Sequence, residues 1–106
     1  MATNHSFLKT VIISAPKDMV LEFFQDLFND ANKKKNITDV NEIGETLSFK
    51  MVTSGLFKSV TTSFELTFGD SSGRVRLQIK TNSDGDAEKA ARELIKDLQK
   101  RFQVAG

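Results

Sequence analysis

Residue types that move protons or hold metals near neutral pH are scarce in this chain. His5 is the lone histidine, and none of the 106 residues is cysteine. Cys/His metal sites and thiolate nucleophiles therefore cannot be assembled. Nucleophile-elbow, P-loop and dinucleotide fingerprints are absent as well. No carboxylate lies on an apolar face where desolvation would tune it. The expectation is a protein that is not an enzyme and needs no cofactor.

Three polar clusters remain. Asn82, Asp84 and Asp86 surround Gly85. In an EF-hand frame Lys80 takes a ligand position and Ala91 replaces the closing Glu, so the template fails. The alternative is a turn leading into a helix cap, where Asp suits the helix dipole. Lys33, Lys34 and Lys35 follow a helical stretch, where ammonium groups favour its C-terminal carbonyls over a phosphate role. Arg74, Arg76 and Lys80 alternate along one strand. Without exposed aromatics for stacking, they read as charge protecting a sheet edge rather than as a nucleic-acid surface. Lys and Arg total 15 against 14 Asp and Glu, a net charge of +1. That balance gives no global pull toward nucleic acid or anionic membrane.

Leu56-Phe57 is of another kind. Two large apolar residues follow Gly55, where a turn tip is ordinarily polar. They either tuck under a helix end or meet a partner or an apolar ligand.

The elements that position these residues follow from periodicity. Phe7 to Ser14 reads as a strand, with Phe7, Val11 and Ile13 on one face. Ser14-Ala15-Pro16 suits a helix start, Ser14 as N-cap and Pro in the first turn. Met19, Val20, Phe23, Phe24, Leu27 and Phe28 then recur at helical spacing and cover about half the circumference, wider than a usual surface stripe. Leu21 widens it further. Ile37 to Gly44 fits neither period and reads as a loop or short edge strand. Glu45 to Thr53, Phe57 to Phe68 and Arg74 to Thr81 alternate as strands. The second of these carries Val60, Thr62, Phe64, Leu66 and Phe68 on one face and Thr61, Ser63, Glu65 and Thr67 on the other. A helix over about Ala87 to Gln103 closes the chain. Glu88–Arg92, Lys89–Glu93 and Asp97–Arg101 are spaced for i,i+4 pairing.

The predicted fold class is α+β, a single domain over residues 1–106 with 1–5 as a mobile tail. Its two layers are an antiparallel sheet of four to five strands and two helices on one apolar face, in the order β-α-β-β-β(-β)-α. No apolar run approaches the ~18 residues of a membrane span, and no signal-peptide core follows Met1. A cytoplasmic location is expected, with no membrane partner.

The stretch Val11 to Phe24, VIISAPKDMVLEFF, resembles the opening of the SRPBCC (START/Bet v 1-like, helix-grip) superfamily, where a strand ends in a small residue plus Ala-Pro and a helix follows at once. Asp39 to Val52 is similar to the next strand pair, with Gly44 at the turn. Ser54-Gly55-Leu56-Phe57-Lys58 resembles a later turn, and the last helix matches the one being gripped. The resemblance implies a cavity between sheet and final helix for lipids, hormones or polyketides, and it carries over no catalytic residue. The superfamily usually has six or seven strands, whereas this chain has room for about five. A TATA-binding-protein-like arrangement fits the same element count.

Two functions follow. The first is a binding module for an apolar small molecule, lined by Phe24, Phe28, Phe49, Phe64, Leu66 and Phe102. Nine Phe with no Trp or Tyr motivate it. The alternative is a protein-interaction or homodimerising module with a packed core and no ligand, touching its partner through Leu21, Leu56 and Phe57.

Overall fold

The computed structural model describes residues 5–29, 35–54 and 57–106. Along the chain come β1 (Ser6–Ile13), α1 (Lys17–Asn29), β2 (Lys35–Ile43), β3 (Thr46–Ser54), β4 (Ser59–Ser71), β5 (Arg74–Ser83), α2 (Ala87–Gln99) and β6 (Val104–Ala105). The strands form one antiparallel sheet in the order β2-β3-β4-β5-β1-β6. The α+β class with two helices is as predicted. The strand count is six rather than four to five. One addition is β6, a two-residue strand too short to show a period. The other is β2, a full nine-residue strand where the sequence leaves a loop and a short edge strand both open. Its alternation is broken because the register shifts between Thr38 and Asn41, with Asp39 at φ 56°.

Polar alternation on β4 and β5 marks a sheet covered on one side. On β5, Val75, Leu77, Ile79, Thr81 and Ser83 are buried while the residues between them are exposed. Register brings Phe49, Phe64 and Thr81 into one row, and Leu47, Leu66 and Ile79 into the next. Val20, Phe23, Phe24 and Leu27 of α1 complete this core with Ala91, Leu94, Ile95 and Leu98 of α2. Met19, expected in the α1 stripe, is exposed. The β4–β5 turn takes Ser72 and Gly73 at φ 54° and 80°, the twin left-handed residues that suit the twist of a two-residue hairpin.

Helix ends differ from the sequence expectation. Helix α1 begins after Pro16, whose carbonyl accepts from the Met19 and Val20 amides. Ser14 stands too early to cap it; its own N–H donates to Gln103 O at 2.9 Å, extending the β1–β6 pairing. Helix α2 stops at Gln99, so Arg101 leaves the helical spacing that would have met Asp97. Arg101 reaches Asp26 of α1 at 2.9 Å instead, and Lys100 lies 3.7 Å from Asp97. The Glu88–Arg92 pair forms at 2.8 Å.

Candidate functional site

The phenylalanines of the interior are arranged ring against ring. Phe24, Phe49, Phe64 and Leu66 are at most 2% exposed. Phe49 stacks on Phe64 at 4.9 Å, Phe28 meets Phe49 edge-on at 5.0 Å, and Phe24 lies 6.4 Å from Phe49. Phe102 is placed apart from this group, half-buried, and faces Phe23 at 6.2 Å. The structure thus joins four of the six residues expected around a ligand. Leu66 sits beneath the helices, and Phe102 closes the end of the core where Arg101 crosses from α2 to α1.

Of the six, Phe64 alone borders the cleft between α2 and the β3–β4 surface. Leu27, Met51 and Leu94 form its apolar walls, and Glu93 and Asp97 stand on its α2 side. Its volume is about 40 Å³. A pocket that encloses a drug-sized ligand needs roughly 300–1,000 Å³. Toward the start of α2 a second hollow of about 230 Å³ shares Thr53, Thr62, Ala90 and Glu93 with the cleft.

The turn before α2 is held by its own acids. Asp84 accepts from the Thr61 amide at 3.0 Å, and Asp86 accepts from Lys89 N at 3.2 Å as the N-cap. Thr62 and Ser83 bond each other at 2.9 Å in the core, and Thr81 donates to Ala87 O at 2.9 Å. Gly85 is packed so closely that a Cβ there would stand 2.8 Å from Val60 Cγ1.

Of the expected contact residues, Leu21 is half-buried against the core, and Leu56 lies outside the described residues. Phe57 is 98% exposed, on the loop between β3 and β4. Lys33 and Lys34 also fall outside the described residues. The basic row is moved by the topology. Arg74, Arg76 and Lys80 lie on β5, which is flanked by β4 and β1, so they do not protect an edge. They sit on the polar face, with Lys80 opposite Glu65 and Leu8.

Sequence reasoning missed the β1 margin. His5, placed in a mobile tail, is tied in: its carbonyl accepts from Ser83 N at 2.8 Å and its Nδ1 lies 3.1 Å from Ser83 O. Leu8 is 57% exposed on the polar face. Elsewhere, Lys17 bonds Glu45 at 2.7 Å, and this bond holds its ammonium above the ordinary lysine pKa. Among the described residues no helix is long and apolar enough to cross a membrane. No protein-family model matches the chain, and the searches of curated proteins and of solved structures gave no significant match.

Proposed function

We propose that this chain is a small non-enzymatic protein-interaction module. The observation that carries the proposal is Phe57. Eight of the nine phenylalanines are buried or half-buried, and Phe57 is 98% exposed. Leaving a Phe in water forgoes roughly 1.5–3 kcal/mol of burial, a cost that burial against a partner offsets. Leu56 is its neighbour in the sequence and lies outside the described residues. The tightly packed rings of the interior support the same reading. We also read the fold as a shortened helix-grip domain. The Ala15-Pro16 junction between β1 and α1, and the return of α2 to the apolar face after β5, support that finer assignment.

The experiment is photo-crosslinking of the full chain from position 57 in a cell extract, with native mass spectrometry of the purified protein. An adduct to a protein, either another copy or a different chain, is expected. No protein adduct at all would sink the reading.

An apolar-ligand binder is the second reading, favoured by the 40 Å³ cleft and the hollow that adjoins it. It requires α2 to move off β3 and β4 as the ligand enters. A stoichiometric small molecule retained in native spectra would establish it over the first.

A further inference from the structure

The exposed charges of the two helices are sorted by sign. On α1 they are Asp18, Glu22 and Asp26, every one an acid. On α2 they are Lys89, Arg92 and Lys96, every one a base, and exposed Lys100 follows one turn later. Steps of three or four residues put each set in one stripe. Each stripe lies opposite the residues its helix buries, Val20, Phe24 and Leu27 on α1 and Ala91, Leu94 and Leu98 on α2, so both face away from the sheet.

Helix stability does not account for this sorting. Asp18–Glu22, Glu22–Asp26, Arg92–Lys96 and Lys96–Lys100 are like charges at i,i+4, a spacing at which they repel. The last turn of α1 holds Asp26 and no base, against the helix dipole. Within the chain Glu88 relieves Arg92, and Arg101 relieves Asp26. Among the described residues no ion pair engages Glu22 or Lys96.

We infer that a second copy of this chain docks on the helix layer, the acidic stripe of each α1 against the basic stripe of the other copy's α2. The inference rests on the interaction-module reading and names its partner. Leu27 shares a cleft with Leu94, Asp26 meets Arg101 and Phe23 meets Phe102. The helices therefore lie side by side in opposite senses, with residues 22–27 level with 94–102. A two-fold axis along the seam between them, in the plane of the outer surface, carries α1 of one copy over α2 of the other with no shift along the helix. Glu22 and Asp26 of one copy then lie over Lys96 and Lys100 of the other, and the symmetry makes this contact twice. An in-plane axis at right angles to the helices would instead set acid on acid and base on base. Exposed Met19, one turn before Phe23, adds an apolar group beside the seam. The net charge of +1 leaves little overall repulsion between copies. Exposed ion pairs are individually weak and screened by salt, so the dimer forms at low ionic strength and dissociates as salt is added.

The test is sedimentation velocity of the full chain at about 20 and about 500 mM NaCl, where the Debye length falls from roughly 20 Å to roughly 4 Å. Two charge-reversed variants accompany it, one with Glu22→Lys and Asp26→Lys, the other with Lys96→Glu and Lys100→Glu. The natural chain should dimerise at low salt, with a Kd about tenfold weaker or more at high salt. Each variant alone should be monomeric at low salt with an unchanged circular dichroism spectrum, because like faces like. Mixed in equal amounts they should form a heterodimer, since a basic α1 meets an acidic α2 and the unaltered stripes meet as before. A partner of the same net charge with its reversals on the sheet face, Lys50→Glu with Lys80→Glu, should pair with the first variant more weakly. Should either double variant unfold, Glu22→Lys and Lys96→Glu alone carry the same test. A natural chain monomeric at low salt, a dimer that persists in either variant, a mixture that stays monomeric, or equal pairing with the sheet-face control overturns the inference. In each case a Phe57 crosslink to a different protein would still leave the interaction module standing.

Discussion

Phe49 and Phe64, on neighbouring strands, stack their rings at 4.9 Å with planes 10° apart. The two residues are register partners in the β3–β4 ladder, and each is 2% exposed. Phe28 closes on Phe49 edge-first from α1, and Phe24 joins from one turn earlier. The stack is where helix and sheet lock together.

Removing one ring of that stack should therefore open a cavity that the framework cannot collapse. Phe49→Ala is expected to destabilise the fold by about 3–5 kcal/mol. Phe49→Leu should lose less, since it keeps most of the volume. Urea unfolding of both variants checks this. A loss under 1 kcal/mol for Phe49→Ala would mean that the interior already holds slack, which would favour the ligand reading.

Gly85 and Val60 give a second expectation. A Cβ at 85 would stand 2.8 Å from Val60 Cγ1, closer than carbon atoms pack. Valine is stiff at χ1 and cannot simply swing aside. Gly85→Ala should cost about 1–3 kcal/mol, the range of overpacking. Adding Val60→Ala should recover part of that loss, so thermal unfolding of the double variant would show a favourable coupling. Additive losses would place the strain elsewhere.

The cap of α2 is a third. Asp86 accepts from Lys89 N at the helix start, so Asp86→Ala should destabilise by about 1 kcal/mol. Asp86→Ser should recover most of it, because a hydroxyl accepts the same bond. Both are read by denaturant midpoints at constant m.

The Lys17–Glu45 pair behaves oppositely. Its folded lysine pKa is raised, so its stabilising contribution is full below the ordinary lysine pKa and fades as pH rises through the folded value. Lys17 is solvent-screened, so Lys17→Met should leave the melting temperature nearly unchanged at neutral pH. A pronounced loss there would mean that the Lys17 ammonium, 6.0 Å from the centre of the Phe68 ring, contributes through that ring as well as through Glu45.

Much of this arrangement was legible because one face of the sheet is wet. Alternation along β4 named its buried face, where Thr62, Phe64, Leu66 and Phe68 are buried and Val60 is half-buried at the end. The same alternation could not say that β5 is interior. A polar row reports water on one face of a strand, not the absence of a neighbour at its side, and the neighbour that matters, β1, lies some seventy residues away in sequence. Strand β2 was obscured by its own bulge, which shifts the face of each residue that follows. Phe57 was ambiguous for a different reason. A phenylalanine beside a glycine turn looks the same whether it folds under a helix or points into water, and only its 98% exposure separates the two.

That exposure sets the last expectation. A side chain with so little contact contributes almost nothing to the folded state, so Phe57→Ser should change stability by no more than about 0.5 kcal/mol. It should also raise solubility, since an exposed aromatic is removed from the surface. If Phe57 is a contact residue, the same variant should abolish crosslinking from a probe placed at neighbouring Lys58, with the circular dichroism spectrum unchanged. A loss of several kcal/mol would instead place Phe57 against the domain in solution. Unchanged stability with undiminished crosslinking would take Phe57 out of the interface.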